Sequence, residues 1–248
     1  MRRAVPRYLL DRARRALSRQ DPLLREQWGQ LEWWRQELDR IVLWYEGRRP
    51  YYGLPFPEPD DRQEIGDKRR AAAIALSLAA GPERYLHDLQ LPPNAFGGKR
   101  VLEVGCGPIP YALAFSGCEI WGLDPLIDEY RALGYPLDDY PGVERLRWVR
   151  GMAEDMPFGS NSFDAVISVN ALDQVHDLPR VVHGIHRVLQ PGGSFRMQVY
   201  YHPPRELQRW SLDDGTVREH FRVLGAQKVA ELPCDRPGER FAIWSGRG

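Results

Sequence analysis

A chain of 248 residues with 43% apolar content can bury one substantial core, so one main globular unit is expected. Its 34 basic and 34 acidic residues cancel and call for no polyanionic partner, although residues 1–20 carry seven arginines against the single acid Asp11. Three cysteines without CxxC or Cys/His ligand spacing argue against a disulfide framework and a zinc site, and the absence of an apolar run of membrane-spanning length or an apolar signal segment predicts a soluble, cytoplasmic chain.

The first predicted element is a short helix from about Tyr8 to Ser18, with Leu9, Ala13, Ala16 and Leu17 on one side and arginines elsewhere. Asp21 then caps, and Pro22 opens, a long amphipathic helix in which Leu24, Trp28, Leu31, Leu38, Ile41 and Tyr45 recur at helical spacing. Its tryptophan-rich face suits a core or an interface, so a homodimer through the N-terminal helices is one expectation. "RRPYYGLPFPEPDD" is too rich in proline for a helix or an inner strand and reads as an extended crossing. A further helix is predicted over 63–80, stopped by Gly81 and Pro82. Residues 1–60 form, on this reading, a helical extension or lid, and residues 61–248 the main domain.

From residue 99 strands and helices alternate. The strand-like runs are "RVLEV", "EIWGLD", "RLRWVRG", "FDAVISV", "SFRMQVYY", "AQKVAEL" and "ERFAIWSG", with helical stretches between most of them. The clearest helix lies at 178–189, where Leu178, Val181, Val182, Ile185, Val188 and Leu189 share a face before Pro191 and Gly192. Such alternation predicts a mostly parallel sheet covered on both faces, and the last two runs, lacking a helix between them, predict an antiparallel end.

"VLEVGCGPIP" places Gly105 and Gly107 just after the first strand, where an open α/β sheet brings backbone amides close to a ligand. Pro108 and Pro110 would fit the first turn of a following helix. Nineteen residues after Gly105, Asp124 ends the second strand, where a carboxylate can accept both hydroxyls of a ribose. A dinucleotide GxGxxG fingerprint needs glycine at position 110, which is Pro110. An adenosine-containing ligand other than a dinucleotide is favoured.

Four separated stretches over about residues 99–200, "VLEVGCGP", "GLDPL", "AEDMPFGSNSFDAVISVNALD" and "HRVLQPGGSF", resemble the class I S-adenosylmethionine-dependent methyltransferases, in the branch that includes many small-molecule and sugar O-methyltransferases. The resemblance implies an α/β, Rossmann-like, seven-stranded, mostly parallel sheet with helices on both faces. It implies S-adenosyl-L-methionine as cofactor, S-adenosyl-L-homocysteine as product, and no metal. It would place Glu103, Gly105, Cys106 and Gly107 around the methionine part, Asp124 on the ribose and Leu126 against the adenine. Ala153 and Glu154 would lie at the adenine edge and Asn170 near the sulfonium. Two positions depart from the family pattern: Ile109 stands where its third glycine belongs, and Met152 where an aspartate often receives the adenine amine, a contact left to Glu154 or to apolar packing.

Alignment of nucleophile, methyl and leaving sulfur can supply roughly 7–11 kcal/mol of such a barrier. A hydroxyl acceptor also profits from a general base, for which histidine suits neutral pH. His176 follows the fourth strand and His202 the fifth, so these two are the candidate bases, with Asp173 as a third candidate or an orienting group. Related sequences often read LDHV here, whereas this chain has Gln174 at the histidine position. The expected acceptor is a small hydroxyl-bearing metabolite such as a sugar, with Tyr51, Tyr52 and Phe56 as flat surfaces for it and Trp33 or Trp34 as helpers. "VNAL" replaces the [DN]PP[YFW] segment of base-amine methyltransferases, which argues against a nucleic-acid partner. Two other readings stay open: an RNA or protein methyltransferase docked by the arginine-rich start, and a cofactor-binding module without turnover.

Overall fold

The computed structural model describes residues 22–58, 67–205 and 208–248. The short helix expected at 8–18, the Asp21 cap and the arginine-rich start lie outside them. Seven strands form one sheet in the order β3-β2-β1-β4-β5-β7-β6. They are β1 (Arg100–Val104), β2 (Glu119–Asp124), β3 (Leu146–Arg150), β4 (Phe163–Val169), β5 (Leu189–Tyr201), β6 (Gln227–Pro233) and β7 (Arg240–Arg247). The first five run parallel, and β7 lies antiparallel between β5 and β6. The expected seven strands and antiparallel end are present. The strand order reverses beside β1, between β1 and β4, so the carboxyl ends of β1, β2 and β4 border one crevice.

Period-two alternation of side chains divides β1 between two cores. Val101 faces a layer built from α1 (Pro22–Tyr45), α2 (Lys68–Leu89) and α3 (Ile127–Leu133), while Leu102 and Val104 face α4 (Leu178–Val188) and α5 (Asp214–His220). Leu38, Ile41 and Trp44 of α1 and Ala72, Ala73 and Leu76 of α2 are buried in the first core. The apolar face predicted for α4 is buried at Leu178, Val181, Val182, Ile185 and Val188 in the second. No helix among the described residues is long and apolar enough to cross a membrane.

Two local expectations are corrected. α2 does not stop at Gly81 and Pro82 but runs from Lys68, behind the Asp67 cap, to Leu89, where Gln90 ends it in the left-handed region. Burial of Tyr85 and Leu89 in the first core outweighs the weak helix preference of the Gly-Pro pair. The glycine loop, in turn, leads into no α-helix. A single 3-10 turn over Tyr111–Ala114 follows, so Pro108 and Pro110 do not occupy a first α-helical turn. Gly107 is left-handed, and each proline disfavours the α conformation of the residue before it; α2 packs where a helix after β1 would lie.

Nothing lies within 4 Å of the position a Cβ would take at Gly81. Gly81→Ala should nevertheless gain less than the roughly 0.5–1 kcal/mol usual for an interior helical glycine, read as a thermal midpoint that shifts little, because the Pro82 ring disfavours the α conformation of a preceding residue that carries a Cβ.

Candidate functional site

The crevice starts where β1 ends. Gly105 and Gly107 have φ of +74° and +60°, and the amides of Gly105 and Cys106 donate to the Leu123 carbonyl at 2.9 and 3.3 Å, folding the loop over β2. What passes close to both glycines is the chain itself. A Cβ at Gly105 would stand 2.3 Å from the Ala171 Cβ, and one at Gly107 would stand 2.9 Å from Cζ2 of Trp34. Between them Cys106 turns inward beneath Gly122, whose Cβ would meet its Sγ at 2.9 Å. The Cys106 thiol, pushed well up by burial, is thus part of the core and not of the loop's outer face.

Asp124 closes β2 with both oxygens engaged: Oδ1 accepts from the Leu126 amide at 2.9 Å and Oδ2 from the Gly107 amide at 3.1 Å. Burial raises its pKa to about 6, while those two amides and the Tyr130 hydroxyl pull it back. On the same face Glu103 accepts the Tyr85 hydroxyl at 2.6 Å, and burial pushes it up to about 8, against the pull of that hydrogen bond and with the help of nearby Asp124. Among the described residues neither carboxyl forms an ion pair. Leu126 gives its amide to Asp124 while its side chain is buried in the first core.

Ala153 and Glu154 lie in a 3-10 turn after β3. Glu154 accepts the backbone amides of His176 and Asp177 at 2.6 and 3.4 Å, and so pins the loop that precedes α4. Met152 is met by Gln27 of α1, whose Nε2 lies 3.4 Å from its Sδ.

After β4, Asn170 is left-handed at φ +51°; its backbone amide donates to the Gln198 carbonyl and its Nδ2 to Gln198 Oε1 at 3.0 Å. Asp173 is 1% exposed; its Oδ2 accepts from Gln208 at 2.8 Å and lies 3.2 Å from His202 Nε2. The Oδ1 atoms of Asn170 and Asp173 are buried with no hydrogen-bond partner among the described residues. His202 Nδ1 lies 2.6 Å from the Pro203 carbonyl. The Asp173 hydrogen bond raises the pKa of the His202 ring. His202 and Asp173 are therefore brought together as a buried pair, with both ring nitrogens engaged. His176, half-buried, stands in the loop that Glu154 pins.

The expected acceptor surface divides. Tyr51 is buried and donates to Glu37 Oε1 at 2.5 Å, which corrects its assignment to an open pocket; its packing anchors α1 to the crossing segment. Tyr52 is 74% and Phe56 41% exposed. Tyr85, Tyr130 and Gln208, which donate to Glu103, Asp124 and Asp173, carry no sequence motif and were found through contacts alone. Among the described residues no His, Cys, Asp and Glu cluster could hold a metal ion. Buried acceptor oxygens at Asp124, Asn170 and Asp173, beside a glycine loop and without cations of their own at Asp124, suit a ligand rich in hydroxyl or ammonium donors.

Residues 102–197 match the family described as Methyltransferase domain. An uncharacterized methyltransferase of Synechocystis is 36% identical over 139 residues, 54% of this chain and 62% of that protein. A sterol 24-C-methyltransferase of Gibberella zeae is 34% identical over 167 residues, 60% of this chain and 42% of the relative. A demethylmenaquinone methyltransferase of Geobacillus kaustophilus is 31% identical over 115 residues, 44% and 49% of the two chains. The chain thus spans less than two thirds of these relatives. A putative sarcosine dimethylglycine methyltransferase from Galdieria sulphuraria shares the fold with a TM-score of 0.56 at 14% identity, over 85% of this chain and 98% of that one.

Glu103 keeps its proton in the folded state up to about pH 8 but loses it near the ordinary value of about 4.3 when unfolded. Stability should consequently fall as pH rises between about 4 and 8 and then level off. Glu103→Gln, which retains an acceptor for Tyr85, should remove this contribution, so the melting temperature of the variant should exceed the parent's by a margin that grows from pH 5 to pH 8.5. His202→Ala leaves Asp173 buried and unpaired and should cost about 3–5 kcal/mol in denaturant unfolding. The penalty should shrink at alkaline pH, since the stability given by a raised imidazole is complete below its unfolded value and is lost as pH climbs through the folded one.

Proposed function

We propose that residues 102–197, which match the family described as Methyltransferase domain, form a class I S-adenosylmethionine-dependent methyltransferase domain that methylates a small molecule with a lipophilic body. The observation that carries the reading is the carboxylate of Asp124, fixed by the Gly107 and Leu126 amides at the carboxyl end of β2 and buried without a cation. With two amides and the Tyr130 hydroxyl on about four lone-pair positions, Asp124 keeps room for one ribose hydroxyl. Asn170 Oδ1, buried and unpartnered, is an acceptor for an ammonium group. When bound, S-adenosylmethionine supplies a methyl group already activated by its sulfonium. What the chain adds is alignment, exclusion of water by the α1 layer, and a group that takes the acceptor's proton.

For that proton we assign His176, with Asp173 Oδ1 as the second candidate, because the ring of His202 is committed to Asp173 and Pro203. Relatives named for sterols and demethylmenaquinone support an apolar acceptor over a sugar, and exposed Trp33, Tyr52 and Phe56 give the N-terminal layer surfaces of matching character. O-methylation follows from the motif resemblance and remains the reading for an acceptor that presents a hydroxyl.

Calorimetry with S-adenosylmethionine, S-adenosylhomocysteine and NAD tests the premise. Both adenosyl compounds should bind, and Asp124→Ala should weaken them about tenfold or more, the equivalent of one charge-assisted hydrogen bond. Unchanged affinity in the variant, or tighter binding of NAD, would reject the proposal.

A further inference from the structure

α1 runs lengthwise over the crevice. Gln27 and Trp34 are seven residues apart, two turns on one face and about 10 Å along the axis. Gln27 rests on Met152, at the end of β3, and Trp34 rests on Gly107, after β1. The helix therefore bridges the two ends of the region in which an adenosyl ligand would lie. The indole of Trp34 makes edge-on contacts with Trp33, Tyr130 and Tyr135 at centroid distances of 4.6, 5.8 and 6.1 Å, and the Tyr135 hydroxyl donates to the Trp34 carbonyl at 2.9 Å. Tyr130, one ring of this cluster, also donates to Asp124, which is 6% exposed. The edge of Trp34 thus abuts Gly107, the residue whose amide holds that carboxylate.

The two halves of α1 are held very differently. Glu37, Leu38, Ile41, Trp44 and Tyr45 are buried, with Trp44 Nε1 donating to the Pro55 carbonyl at 2.9 Å. Among residues 27–36 none is fully buried, and only Leu31 and Trp34 pack, partly buried, against the first core. A segment with little buried apolar surface opens locally at far smaller cost than the core it continues into.

We propose that Trp34 is a latch: the amino-terminal half of α1, hinged on the anchored half from Glu37 onward, closes the crevice, and an adenosyl ligand enters when the indole leaves Gly107. The occupant of the closed crevice is this chain's own side chain. Ligand affinity is then reduced by the fraction of molecules that are open, and removing the indole raises that fraction. The inference rests on the cofactor reading above.

The test is Trp34→Ala, with Trp34→Phe as a milder truncation should the first fold poorly, each checked by thermal melting. S-adenosylhomocysteine and S-adenosylmethionine are titrated by calorimetry and mixed by stopped flow. The latch predicts binding of both compounds about tenfold tighter in Trp34→Ala, through faster association, with Trp34→Phe between it and the parent. Equal or weaker binding by the variants overturns the latch while leaving the cofactor reading intact, because Trp34 would then be a wall of the site. Absence of binding in parent and variants alike rejects the cofactor reading instead. Hydrogen exchange of the unliganded parent then decides the latch: residues 27–34 should exchange well ahead of 38–45, and equal protection would overturn it.

Discussion

The carboxylate of Asp124 is the tie on which this crevice depends. One oxygen holds the Gly107 amide of the loop after β1, the other holds the Leu126 amide of the loop after β2, and so two neighbouring strand ends are fixed to one another by a single side chain. Bringing an acid into the interior is expensive unless donors surround it. Here one donor is the amide of Gly107, in a conformation that other residues rarely adopt, and another is the amide of Leu126. The glycine loop and the acid are therefore one device, with each part accounting for the other.

Around that tie several carboxyls take hydrogen bonds from another element. Glu103 on β1 takes a hydroxyl from α2, Asp173 after β4 takes an imidazole and an amide from the segment after β5, and Glu154 after β3 takes amides from the loop before α4. These bonds join strand ends that the hydrogen bonding of the sheet does not reach. Two of the buried acceptor oxygens left without a partner among the described residues, on Asn170 and Asp173, lie in the turn whose Ala171 packs on Gly105. A turn with unfilled acceptors next to the glycine loop is organised for a donor-bearing ligand, and it links the packing to the proposed chemistry.

The helical layer contributes in a different way. The second half of α1 is core, bound to α2 and to the crossing segment through Glu37, Tyr51 and Trp44, while its first half reaches across the crevice on lightly buried side chains. A rigid root with a loosely held tip lets the same helix stabilise the domain and regulate access to it.

The sequence by itself determined the sheet. Runs such as "RVLEV", "EIWGLD" and "FDAVISV" coincide with β1, β2 and β4 because apolar period and strand length are local properties. It also located the glycines, the acid at 124 and the motifs of residues 102–197, whose spacing reflects the backbone geometry a ligand demands. The helix boundary at Gly81 and the helix after the glycine loop were misread, since burial of Tyr85 and Leu89 and the packing of α2 depend on elements far apart in the chain. Only the tertiary structure decided that Cys106 faces the core, that Tyr51 is buried against Glu37, that His202 and Asp173 pair, and that Trp34 covers Gly107. Each of these is a contact between side chains widely separated in sequence, and the direction in which a side chain points is set by the partner that packs on it.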